Sequence, residues 1–397
     1  MLEWLIIGGG IHGTYLANLL THLPGLERHQ VRILDPHPGL LTAWERNAAN
    51  CGMAYLRSPA THHIDRPILS LYRYAQTRNA LARPTFIPPY NRPSLDLFQN
   101  HCRHVIAANR LEELHVHGRA RAVKKDGCGL VVESDGPSLR ARRLLLAVGM
   151  SEQPCWPAWA HALKIEGARI AHVFDADFTR AEWTQDRRTI VVGGGISAVQ
   201  TALKLASETG GRVHLLSRHA PRESQYDFNL CWIGPKCLRA FYRTEPPQRR
   251  ATIDQARIAG SLPGEVLASL NRALSANRIG FSEGQCQGAR LTSGGVRLQT
   301  SAGVLEADQV ILATGFTPRR PGGAMIDRLV REFDLKCNPC GYPLLGDDLR
   351  WAENIYATGP LAELQVGPCA RNIVGARNAG RILLHGLGHE RRPPPGR

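Results

Sequence analysis

Glycine interrupts this chain twice in the same manner. A short apolar run, Leu2 to Ile7, leads into Gly8, Gly10 and Gly13 and then into a stretch with Tyr15, Leu16, Leu19 and Leu20 on one face. The run Thr189 to Val192 leads likewise into Gly193, Gly194 and Gly195 and a stretch through Val199, Leu203 and Leu205. Strand, glycine turn and helix in this order are what a dinucleotide-binding unit needs. Gly8 makes the tight turn, Gly10 lets a pyrophosphate approach the main chain, and Gly13 allows helix to lie close on strand. The helix opens at Ile11 and His12, so its unpaired N–H groups and positive end face the phosphates. A second strand, Val31 to Leu34, ends in Asp35, roughly 20 residues beyond Gly13, where a ribose-binding carboxylate belongs. The expected fold class is α/β, with two Rossmann-like dinucleotide-binding halves.

The two halves differ in a way that separates their ligands. The first, with its carboxylate, is read as the FAD half. In the second, Val213 to Leu216 ends in Ser217-Arg218, which removes the acid that selects a free 2′-hydroxyl and offers a cation for a 2′-phosphate. NADPH is therefore expected over NADH, held by Gly193, Gly195, Ile196, Ser197 and Arg218, with Arg222 a second candidate. The competing reading of Arg218 is a solvated surface charge. Further strands end in glycine turns at Val148-Gly149, Thr314-Gly315 and Thr358-Gly359. Together they predict a discontinuous FAD domain, residues 1–150 and 308–397, a connector over 151–186 and a nicotinamide domain over 187–307.

Composition narrows the remaining classes. The formal charge is +15, but the 49 basic residues are nearly all arginine and are scattered, with no module of a nucleic-acid reader. No apolar run approaches the roughly 18 residues of a membrane span, and the first residues read as strand and turn rather than as a signal peptide. Ten cysteines at irregular spacing fit a reduced, cytoplasmic protein better than a disulfide scaffold. Cys337 and Cys340 form a close pair, read as two unrelated thiols ahead of a turn at Gly341, with a redox dithiol as the alternative. No metal site is expected: the adjacent His62 and His63 point in different directions in either regular structure.

At this level the residues resemble the single-chain flavin monooxygenases, and within them the lysine and ornithine N-monooxygenases. The likeness is carried by the two glycine turns, the run Leu312 to Phe316, Gly195 to Ala198, and the stretch from Ser217 to Arg222 that continues to Tyr226-Asp227-Phe228-Asn229 and later Phe241-Tyr242. The resemblance implies that Asn229 sits where nicotinamide, flavin and substrate meet. It also implies that the run Gly359 to Pro368, followed by Asn372, caps the flavin, with Asn372 as hydrogen-bond partner or helix cap. The activity it implies is an oxygenation through a flavin C4a-hydroperoxide, with dioxygen and a small molecule as substrates. The family's substrate-binding lysine is missing. Tyr55-Leu56-Arg57-Ser58 stands in its place, followed by His62, so Arg57 and His62 are the substrate-side candidates, His62 alternatively belonging to a surface hydrogen-bond network.

The sequence leaves three functions standing: this monooxygenase, an NAD(P)H-dependent flavin reductase passing electrons to a quinone, thiol or protein, and a non-catalytic dinucleotide sensor. It names no substrate and leaves the question of a homo-oligomer open.

Overall fold

The structure is a computed structural model describing residues 1–77, 85–127, 129–209 and 212–389. In the first unit, β1 (Leu2–Ile7) feeds α1 (Ile11–Leu20), then β2 (Val31–Asp35), β3 (His115–His117) and a run of β4 (Ala120–Asp126), β5 (Gly129–Ser134) and β6 (Leu139–Leu146). β1 is flanked by β2 and β6, both parallel to it, with Ile7 level with Leu34 and Leu146. The three strands end together, and Gly8 emerges between two of them. β1 is buried through Trp4 to Ile7, as expected for a central parallel strand covered on both faces.

The second unit repeats this plan. β7 (Ile170–His172) precedes β8 (Thr189–Val192), α2 (Ile196–Glu208) and β9 (Val213–Ser217); after an insertion carrying α3 (Pro235–Arg243) come β10 (Ile279–Glu283) and β11 (Gln309–Leu312). The sheet order is β10-β9-β8-β11-β7, all parallel, with Val192 level with Leu216 and Leu312. The chain then returns to the first sheet through β12 (Arg350–Ala352) and β13 (Ile355–Ala357), β13 pairing with β6, and ends in α4 (Ile373–Gly386), which lies on α1. Gly380 permits that contact, since a Cβ there would come within 2.5 Å of Leu19.

The boundaries differ from those expected at two strands. β7 falls within the predicted connector and β11 within the predicted second part of the FAD domain, yet both pair into the second sheet. The apolar run before Thr314-Gly315 is recognisable as a strand, whereas the three residues of β7 lie inside the stretch read as connector, and nothing local says which neighbour either joins. Among the described residues no helix is long and apolar enough to cross a membrane.

Candidate active site between the two glycine turns

The first turn is shaped by contacts only glycine allows. Gly8 has φ +110°, and a Cβ there would sit 2.6 Å from the Ala147 carbonyl; a Cβ on Gly13 would overlap the Gly8 carbonyl at 1.8 Å. Gly10, by contrast, faces open space, and as the residue before α1 it brings no capping side chain to the N–H groups of Ile11, His12 and Gly13. Asp35 lies against this turn, accepting from Gly9 N at 2.6 Å and His37 N at 2.9 Å.

The second turn reproduces the geometry. Gly193 has φ +150° and its Cβ would meet the Ala313 carbonyl at 2.4 Å, the counterpart of the Gly8 contact with Ala147. Gly194 is close to Ser217 and the His219 ring, and Gly195 opens α2 ahead of Ile196 and Ser197. Arg218 and Arg222 follow β9; both are exposed, and while the Arg222 backbone pairs with Ser261, neither side chain makes a hydrogen bond or ion pair among the described residues. The Thr314 hydroxyl donates to the Cys155 carbonyl, and Gly315 takes φ +80°. Gly149 is exposed at the end of β6.

A chain of polar contacts links the first turn to the insertion of the second unit. His12 Nε2 donates to the Asn372 carbonyl at 3.2 Å, so Nδ1 accepts from Thr358 Oγ1 at 2.9 Å. Burial lowers the His12 pKa to about 4, against a smaller opposing effect of the Asn372 bond, and the ring is neutral. Gly359 sits over this ring at φ +65°. Asn372 precedes α4 but does not cap it; its Nδ2 donates to Asp227 Oδ1 at 3.3 Å, while its Oδ1 is buried with no donor. Asp227 pairs with Arg257 at 3.4 Å. Arg257 in turn reaches Glu363 at 3.3 Å, and Glu363, fully buried, also binds Arg371 at 2.7 and 2.9 Å and Arg250. Burial works to raise the Glu363 pKa, but the Arg371 hydrogen bonds and the charges of Arg371, Arg250 and Arg257 outweigh it and hold the carboxyl below its ordinary value.

The substrate-side candidates are placed differently from expectation. Arg57 is engaged in joining the units: Nε donates to the Gln225 carbonyl at 2.6 Å, and Nη2 to the Ser224 carbonyl and Ser261 Oγ, both at 2.8 Å. His62 is 7% exposed and not part of a surface network. Burial, with the neighbouring Arg377 and His63, lowers its pKa to about 4. Arg377 of α4 straps the loop that carries it by donating to the carbonyls of His63, Asp65 and Arg66. Asn229 is exposed; its Oδ1 accepts from Cys231 N at 3.0 Å, two residues from the Asp227 that meets Asn372. The Asp227, Arg257, Glu363, Arg371 and Arg250 cluster escaped the sequence reading. Its one visible sign was a charged residue, Glu363, inside the otherwise uncharged run from Gly359 to Pro368.

Residues 77–256 match the profile of the pyridine nucleotide-disulphide oxidoreductase family. No curated protein matches the chain by sequence. Among solved structures, the ornithine hydroxylase of Pseudomonas aeruginosa superposes with a TM-score of 0.76 at 17% identity, covering 97% of this chain and 98% of its own. The chain shares the N-hydroxylase fold. The ornithine N-hydroxylase of Kutzneria sp. 744, solved with reduced FAD, NADP⁺ and L-ornithine, gives 0.75 at 14% identity, covering 98% and 99%. The bacillithiol disulfide reductase of Staphylococcus aureus gives 0.62 at 15%, covering 98% and 99%. The expected α/β class with two dinucleotide-binding halves is thus the observed fold, spanning essentially the whole chain.

Proposed function

We propose that this chain is an FAD-dependent, NADPH-using monooxygenase that oxygenates a small molecule in the manner of an N-hydroxylase. The observation that carries the reading is the join between the two glycine turns. His12, Asn372 and Asp227 connect the first turn to the insertion of the second unit, and the Asn372 Oδ1 is left buried and unpaired beside it. A buried acceptor without a donor costs about 1–3 kcal/mol, and a donor on a bound flavin would relieve it. The open face of Gly10 and the free N–H groups of Ile11, His12 and Gly13 suit a pyrophosphate, and Asp35 keeps acceptor capacity for a ribose hydroxyl.

Bound FAD would supply the redox chemistry, with NADPH as reductant and dioxygen as oxidant. The protein's part is positioning. Ile196 and Ser197 receive the nicotinamide dinucleotide's phosphates, and the unpartnered Arg218, with Arg222 beside it, receives the 2′-phosphate. Gly149, Thr314, Gly315 and Gly359 shape the crevice walls. Neutral His12 holds the Asn372 segment by its Nε2–H and is not charged to act as an acid near neutral pH. Asn229 orients the nicotinamide end. Arg57 acts as a positioning residue, fixing the Ser224-Gln225 loop, and does not clamp a substrate carboxylate. Tyr226 and Phe228, buried and stacked 6.0 Å apart, keep water from this side. NADPH supply fits a cytoplasmic enzyme.

The test is NADPH consumption by the FAD-loaded protein across amines, ketones and thiols, with product mass measured under labelled dioxygen. One labelled oxygen in the product is the expected result. Rapid electron transfer to quinones or disulfides without an oxygenated product would overturn the monooxygenase reading in favour of a reductase. Failure to bind FAD would overturn both.

A further inference from the structure

One covalent feature lies outside everything assigned above. Cys231 and Cys237 form a disulfide, while the other seven described cysteines, Cys337 and Cys340 included, are free thiols. The bond closes a small ring containing Trp232, Ile233, Gly234, Pro235 and Lys236, with both sulfurs on half-buried residues and Pro235 and Lys236 exposed. Redox chemistry can therefore reach it, unlike the buried Cys51, Cys102 and Cys369.

The ring sits at a junction. On one side, Cys231 N donates to Asn229 Oδ1, so the residue that anchors the bond also fixes the Asn229 side chain. On the other, Cys237 lies in the first turn of α3, and that helix lays Leu238 and Phe241 against Gly367, at 3.0 and 3.8 Å from where a Cβ would stand. Trp232, inside the ring, meets the Phe241 ring edge-on at 6.0 Å. The disulfide thus ties Asn229 to the helix that supports the run from Gly359 to Pro368.

We propose that Cys231–Cys237 is a thiol-reducible modification site, opened by dithiols or low-molecular-weight thiols, whose state sets whether Asn229 and α3 are held together. The exchange balances without another reactant. A thiolate attacks one sulfur and breaks the S–S bond to give a mixed disulfide. A second thiolate then displaces the protein sulfur, so Cys231 and Cys237 gain two electrons and two protons while the attacking thiols become a disulfide. Attack falls on Cys231, because a departing Cys237 thiolate lies near the positive end of α3, next to Lys236 and with no capping side chain on Gly234 to compete. The effect on catalysis rests on the function proposed above; the chemical site does not.

The full-length protein is equilibrated in glutathione buffers of graded potential, free thiols are alkylated, and peptides are weighed. Cys231 and Cys237 are expected to convert together, and Cys237→Ser to accumulate glutathione on Cys231. A lysine-specific protease provides the second reading. With the bond intact, chains cut after Lys236 stay joined until reduced; with it open, in reduced protein or in the Cys231→Ser/Cys237→Ser variant, cutting becomes roughly tenfold faster because the ring no longer constrains the segment. Full alkylation of both cysteines in the most oxidising buffer, no response to potential, or equal cutting rates in the two states would each overturn the proposal. A protein that binds no flavin leaves these measurements intact and refutes only the function.

Discussion

Glu363→Ala strikes the point of greatest charge density in the interior. The carboxylate is fully buried and faces Arg371 at 2.7 and 2.9 Å, Arg257 at 3.3 Å and Arg250. At formal charges the five-residue cluster carries one excess positive charge, met from the surface by Asp254 at 3.3 Å from Arg250, and removing Glu363 adds a second. Deleting one partner of a buried pair costs about 3–5 kcal/mol, because the remaining charge is left desolvated. The arginines keep 18–27% of their side-chain surface, so water compensates in part and about 3 kcal/mol is expected. Glu363→Gln preserves shape and one acceptor and should lose less, about 2 kcal/mol. Urea titrations of the apo protein, followed by tryptophan fluorescence and circular dichroism, measure both. The decisive comparison is Glu363→Ala/Arg371→Met, which removes the charge and one of those it strands, and so should recover about 1 kcal/mol or more over the single variant. Because the folded-state pKa of Glu363 lies below its unfolded value, its contribution is present above the unfolded pKa and is lost as pH falls through the folded one. The gap between wild type and Glu363→Ala should therefore narrow in acid. A single-variant loss under about 1 kcal/mol, or strictly additive effects in the double variant, would refute the account of this cluster as an energetic keystone.

Three further outcomes follow from the same geometry. Arg218→Ala should raise KM for NADPH about tenfold and leave NADH unchanged, since a single charge-assisted contact is worth about 1.4 kcal/mol; equal effects on both cofactors would refute the 2′-phosphate role. Gly10→Val should abolish FAD binding while the apo protein unfolds at an unchanged urea concentration, because its side chain enters open space, whereas Gly13→Ala should destabilise the apo protein through its clash with the Gly8 carbonyl. Stability should fall steeply as pH drops from about 6.5 toward 4, by up to about 1.4 kcal/mol per unit for each buried histidine. Burial lowers the pKa of His12, His62, His63 and His172 to about 4 and of His101 to about 3, so the unfolded state binds the extra protons; a flat urea midpoint over this range would contradict these burials.

The parts of the fold legible in the sequence are those specified locally. Gly8, Gly10 and Gly13 announce their turn because backbone conformation and close approach admit no other residue, and Ser217-Arg218 can be read because it directly follows a recognisable strand. What was not legible depends on partners distant in sequence. Arg57 looks like a free substrate cation until the Ser224-Gln225 carbonyls arrive from the other unit. The strand at 309–312 shows its buried run but not that β8 is its neighbour. Cys231 and Cys237 stand at a spacing that matches no ligand or redox motif, and only the turn into α3 brings their sulfurs together.

These long-range contacts also bear on how freely the units can move. Phe228 belongs by sequence to the insertion of the second unit, yet its side chain is buried in the hydrophobic cluster that fills the first. Withdrawing it would expose a large ring, at about 1.5–3 kcal/mol, and would break the three Arg57 hydrogen bonds and the Asn372 to Asp227 contact on the same face. A rigid rotation of one unit over the other therefore opposes several independent interactions at once. The loop from Ser224 to Asn229 is accordingly held fixed against the first unit, and the ring that follows it is restrained twice, by the Cys231–Cys237 bond and by Trp232 and Ile233, which pack on the core of that unit while Pro235 and Lys236 stay exposed.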